Sequence, residues 1–185
     1  MSGIADSSSG LGYSDEIPVA FEPGELPEGA VQDRTNAGVV RIIRALTAFE
    51  DVAGDPAEED SPLSHLMVRV EGKLDLLLNL VGGLVHRHVE LPRRHRVRVC
   101  VSGLEWCDAP AELDEGQTGV IVLYPQPAIP ISLRVPGTVT AAGTEGGQRL
   151  LMLEYFGLTS EARDLVSKYV FRHHRREIAR IRDAQ

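Results

Sequence analysis

Arg93, Arg94, Arg96 and Arg98 fall within six consecutive positions, Arg93-Arg94-His95-Arg96-Val97-Arg98, the densest positive charge in the chain. A planar guanidinium binds phosphate and the O6/N7 edge of guanine through paired N–H donors, and it also stacks on bases. The run is therefore a candidate anion or nucleotide clamp. The plainer reading is a solvated strand edge whose arginines pair with local carboxylates. In a strand Arg96 and Arg98 share one face, opposite Val97 and Val99, so those two can converge on one ligand. A second basic cluster, Arg172, Arg175, Arg176, Arg180 and Arg182, closes the chain. It could contact phosphates or an acidic partner, but cations at a helix C-terminus also gain about 0.3–1 kcal/mol from the helix dipole, which is reason enough for them.

Other reactive side chains carry less. His86 and His88 stand two apart on a predicted helix and face different ways, His95 is isolated, and His173-His174 are adjacent; no zinc spacing exists, so no metal is expected and the histidines read as surface groups. Cys100 and Cys107 lack CxxC spacing and read as small buried or half-buried groups in a reducing compartment. Trp106 is expected to pack against the sheet or the closing helix, the alternative being a platform on which a base stacks. No nucleophile elbow, Walker loop, HExxH or Rossmann glycine pattern is present, so no catalytic residue is assigned and no enzyme is expected.

The elements that position these residues follow from periodicity. Thirteen Asp and Glu against three Arg give residues 1–60 a charge of −10, and the remaining residues carry +2. Residues 1–33 combine that acidity with Ser7-Ser8-Ser9-Gly10 and Pro18, Pro23 and Pro27, which predicts a mostly disordered leader, able to lie across the C-terminal basic cluster. From Thr35, the apolar residues Val39, Ile42, Ile43, Leu46, Phe49 and Val52 recur at helical spacing until Gly54-Asp55-Pro56. Ser61 and Pro62 then open a second helix whose heptad phase is unbroken: Leu63, Val70, Leu77 and Leu84 on d, and Met67, Leu74 and Val81 on a. Apolar Leu66, Leu76, Leu78 and Leu80 outside that stripe call for more than two helices to cover them. A homo-oligomer, best a tetramer, is expected. Beyond Pro92 the pattern turns to strands: Val97, Val99 and Val101, then Gly119–Tyr124, Ile131–Ala141 and Gln148–Tyr155, with a turn over 143–147. Thr159-Ser160-Glu161 caps a closing helix with Leu165, Val166, Tyr169, Val170 and Phe171 on its apolar stripe. The longest apolar run is far below the roughly 20 residues that span a bilayer, and no signal peptide opens the chain, so a cytoplasmic location is expected.

Arg94-His95-Arg96-Val97-Arg98, followed by Ser102-Gly103-Leu104 and, before the closing helix, Tyr155-Phe156-Gly157-Leu158-Thr159, resembles the PilZ family. With the heptad helix ahead of the β structure, the chain is most similar to that family's atypical, tetramer-forming branch. The resemblance implies a small β-barrel over about residues 91–180 and a link to cyclic di-GMP signalling, with Arg94 and Arg98 matching the paired arginines that clamp the nucleotide. The family's second motif, Asp or Asn, any residue, Ser, two residues, Gly, has as its counterpart Cys100-Val101-Ser102-Gly103-Leu104-Glu105. That segment puts Cys where an oxygen ligand belongs and Glu where glycine belongs.

The expected fold is α+β: an N-terminal αα-hairpin with a heptad helix that bundles on oligomerisation, then a small antiparallel PilZ-like β-barrel and a closing C-terminal helix. Its expected units are an acidic leader over 1–33, a helical oligomerisation segment over 34–90 and the barrel with its helix over 91–185. The expected function is that of a non-catalytic adaptor acting by protein contact with an unidentified signalling partner, binding cyclic di-GMP weakly or not at all. Two alternatives stand beside it: a true receptor using Arg94, Arg96, Arg98 and Ser102, and a structural assembly protein without ligand or cofactor. DNA binding is not expected.

Overall fold

The computed structural model describes residues 10–52, 70, 72–74, 90–126 and 131–183. Six strands, β1 Gly12–Pro23, β2 Arg94–Cys100, β3 Gly103–Cys107, β4 Thr118–Leu123, β5 Leu133–Glu145 and β6 Gln148–Tyr155, close into a barrel in the order β1-β2-β3-β6-β5-β4. Every neighbouring pair is antiparallel. Two helices, α1 Gly29–Val52 and α2 Ser160–Asp183, pack on the barrel, and the described residues 70 and 72–74 are helical as well.

Strand β1 corrects the expectation of a disordered leader. Its first half, Gly12 to Pro18, pairs with β2, and its second half, Val19 to Pro23, pairs with β4. Proline cannot donate to a ladder, and Pro18 stands where the strand changes partners, so the residue that argued against a strand marks its corner. Ile17 and Val19 are buried, and Phe21 packs against the core, an alternation hidden among acidic neighbours. The barrel is thus assembled from two separate stretches of sequence, 12–23 and 94–155.

Alternating side chains fill the barrel: Val97 and Val99 from β2, Leu104 and Trp106 from β3, Ile121 and Leu123 from β4, Val135 and Val139 from β5, Leu151 and Leu153 from β6. Trp106 is 1 % exposed and meets His95 edge-on at 5.2 Å, so its ring belongs to the core and offers no face to a base. The β5–β6 turn is tighter than expected. Both residues of the Gly146-Gly147 connection have positive φ, the geometry that favours glycine in a two-residue hairpin.

Val39, Ile43 and Leu46 of α1 and Ala162, Val166, Tyr169 and Val170 of α2 join the same core. Where the helices meet the strands, an apolar void of about 10 Å³ remains, lined by Tyr13, Ile43 and Val166 among others, room for about one water. α1 begins earlier than its apolar stripe, because its polar first turns have a partner of their own. Gln32 Nε2 and Asn36 Nδ2 donate to Gly157 O at 2.7 and 3.0 Å, and Thr159 N donates to Asn36 Oδ1 at 3.0 Å. Asn36, 4 % exposed, therefore ties α1 to the turn that starts α2. Gly157 has φ +63, a backbone conformation that favours glycine, whereas the atoms a Cβ would meet are the movable end of the Gln32 side chain.

Of the heptad stripe only Val70 and Leu74 are described; both are helical and about half exposed, at 47 % and 52 %. Leu63, Met67, Leu77, Val81 and Leu84 lie outside the described residues. No helix among the described residues is long and apolar enough to cross a membrane.

Candidate functional site

Burial of Val97 and Val99 inside the barrel turns Arg94, Arg96 and Arg98 to its outer surface. Spacing along the extended strand holds the Cα atoms of Arg94 and Arg98 roughly 13 Å apart on that surface. Both reach the backbone of β1 and its approach. Arg94 donates from Nε and Nη2 to Glu16 O at 3.1 and 2.6 Å, and Arg98 donates from Nη2 to Gly10 O at 3.2 Å. Arg96 is exposed and stands opposite Glu16 in register. Arg93 lies 3.9 Å from Asp108 on the surface.

Ser102 occupies the β2–β3 turn, where its carbonyl accepts from Tyr155 N at 2.9 Å. It lines a cleft of about 180 Å³ with Gly10, Cys100, Glu105, Thr140, Met152 and Glu154. Glu105 pairs in register with Arg98, their charged atoms 3.8 Å apart, and its side chain is 17 % exposed. Burial first, and then the Glu105 charge, push the Cys100 thiol above its ordinary pKa against the pull of Arg98, so this sulfur is a neutral thiol. The cleft therefore brings Ser102 near Arg98, but it also contains two carboxylates; Arg94 and Arg96 lie further along β2.

A second cluster escaped the sequence reading. His173 does not stand on the surface as expected: its ring stacks on Tyr13 at 4.6 Å and meets Tyr169 at 4.3 Å. Its Nε2 lies 2.9 Å from Glu50 Oε1, while Arg176 Nη1 donates to Glu50 Oε2 at 2.6 Å. Burial pushes the Glu50 carboxyl up, but the hydrogen bonds and charges of His173 and Arg176 together outweigh it and hold the pKa below the usual carboxylate range. Burial also raises the Tyr13 and Tyr169 phenols, which stay protonated. The only sequence signal was Glu50 near the end of one helix and His173 in another. Among the described residues, no three His, Cys, Asp or Glu side chains gather as a metal site would.

This clasp joins α1, α2 and β1, and its stabilisation follows the ionisation of Glu50. Because folding lowers that pKa, the contribution is complete above the unfolded carboxyl value of about 4.3 and is lost as pH falls through the lower folded value. Glu50→Gln is expected to lower the urea midpoint at neutral pH and to flatten its decline below about pH 4. An acid limb unchanged by the substitution would remove Glu50 from the stability of the helices.

The model of the atypical PilZ domain, described as a cyclic di-GMP receptor, matches residues 43–183. The chain belongs to the atypical PilZ family. It is similar to a solved protein from Xanthomonas campestris, described as pathogenic and as a tetrameric PilZ domain self-assembled through an unusual helical bundle. That similarity has 29 % identity over 93 % of this chain and 92 % of the other, with a TM-score of 0.77. A partial match, at 14 % identity and a TM-score of 0.39, covers 48 % of this chain and 76 % of the PilZ domain of YcgR from Escherichia coli, solved with cyclic di-GMP. A comparison with curated proteins finds no match. The PilZ-type barrel and the family link to cyclic di-GMP are thus as expected, although the barrel includes a strand from the acidic leader.

Proposed function

We propose that this PilZ protein is a non-catalytic, cytoplasmic signalling adaptor in a cyclic di-GMP-linked pathway, assembled as a homo-tetramer and having little or no affinity of its own for the nucleotide. One observation carries the reading: Arg94 and Arg98, the residues placed like the family's clamp, each hold a carbonyl of the chain's own N-terminal strand region. A ligand would have to displace those bonds and approach Glu105, whose charge repels a phosphate by about 1–4 kcal/mol at 4 Å between bulk water and an intermediate dielectric. The heptad residues Leu63, Met67, Val70, Leu74, Leu77, Val81 and Leu84 form the seam between chains in this proposal. It is supported by the exposure of Val70 and Leu74 and by the helical bundle described for the Xanthomonas relative.

Isothermal titration with cyclic di-GMP at low and physiological salt tests the adaptor reading, with Arg94→Ala/Arg98→Ala as control. No heat from the folded protein at either salt is the expected result. Micromolar binding that the double variant abolishes would replace the adaptor with a receptor, the reading favoured by Ser102 lying in a cleft beside Arg98.

A further inference from the structure

The inner face of α2 is occupied: Ala162, Val166, Tyr169 and Val170 are in the core, and His173 and Arg176 meet Glu50. Its outer face carries two parallel lines. Lys168, Arg175 and Arg182 recur every seventh residue, and three residues further along the chain from the first two stand Phe171 and Ile178, which sevenfold spacing likewise places one above the other. Phe171, Ile178 and Ile181 are exposed at 49, 38 and 55 %. The Arg175 guanidinium carbon lies 5.9 Å from the centre of the Phe171 ring, joining the two lines. Between Lys168 and Arg182 there are six Lys and Arg against one acid, Glu177, in a chain whose formal charge is −8.

We propose that the outer face of α2 docks the protein on an anionic lipid surface. A narrow apolar strip bordered by long cationic side chains suits the boundary between acyl chains and headgroups, where the strip enters the apolar layer and the cations reach lipid phosphates. A second copy would present the same excess of positive charge, so the face is not complementary to itself. The strip is also too narrow to be the centre of a stable protein interface, which buries about 800 Å² per partner. Neither line includes Arg94, Arg98 or a heptad position, so this proposal stands apart from the adaptor reading.

Co-sedimentation of the full chain with phosphatidylcholine vesicles, with and without phosphatidylglycerol, tests it. The wild-type protein is expected to pellet only with the anionic vesicles, and less as salt rises. Arg175→Glu/Arg182→Glu should weaken that partition by more than tenfold. Phe171→Ser/Ile178→Ser should weaken it by about tenfold at unchanged near-ultraviolet circular dichroism of Trp106. Failure to pellet with anionic vesicles, equal pelleting with neutral ones, or variants that pellet like the wild type would each overturn the proposal. So would a smaller assembly on gel filtration for Phe171→Ser/Ile178→Ser, which would assign the strip to contact between chains.

Discussion

Deleting residues 1–23 is expected to abolish the folded barrel, although the sequence there reads as a leader. The deletion removes Tyr13, Ile17 and Val19 from the core, all at most 4 % exposed, and Phe21 from its margin. At about 1.5–3 kcal/mol for each fully buried side chain, the loss is of the order of the 5–15 kcal/mol that stabilises a typical domain. It also strips β2 and β4 of their partner, leaving two open edges that invite aggregation. The Glu22–Arg134 ion pair between β1 and β5 goes as well, a smaller effect at this half-exposed position. The expected product is insoluble or lacks the near-ultraviolet dichroism of Trp106. Ile17→Asp should approach the same state by placing one charge where the side chain is 1 % exposed. A truncated protein with a wild-type melting transition would show that β1 is dispensable and that the barrel closes without it.

The reason β1 was hidden is physical. Ile17, Val19 and Phe21 keep the period of a strand, but Asp15, Glu16, Pro18 and Pro23 give the segment the composition of an unfolded chain. Composition averages over both faces, whereas a strand at a barrel corner needs apolar residues on one face only and can place proline where the ladder changes partner. Strands β2, β4, β5 and β6 were legible because their valines and leucines alternate between recognisable turns. The site divided in the same way. The outward direction of Arg96 and Arg98 followed from strand period, but the occupation of Arg94 and Arg98 could not, because the Glu16 and Gly10 carbonyls belong to β1 and the residues just before it, about eighty residues away. Backbone acceptors carry no residue signature. Likewise Glu50 and His173 meet only because α1 and α2 cover the same end of one barrel, a contact without local periodicity.

Leu77→Asp is expected to dissociate the proposed tetramer into smaller species while leaving each barrel folded. Leu77 holds a central d position in the proposed seam, with Leu74 and Val81 as its a-position neighbours. A buried carboxylate without a counter-charge costs several kcal/mol after relaxation, and in a symmetric assembly the cost recurs in every chain around the same axis. Light scattering on a sizing column should therefore show a lower mass for Leu77→Asp at micromolar concentration, with the near-ultraviolet signal of Trp106 retained. Leu77→Ile, which preserves volume and apolarity, should elute as wild type. The pair of variants separates assembly from folding: the Xanthomonas relative is described as a tetramer built through a helical bundle, whereas a stripe that served an intrachain core would lose dichroism in Leu77→Asp without a change of mass in the protein that remains folded. Exposed Val70 and Leu74, one helical turn apart, are the described part of that stripe. Their exposure in the single chain is what association through the seam would remove, at about 25 cal/mol for each Å² of apolar surface covered.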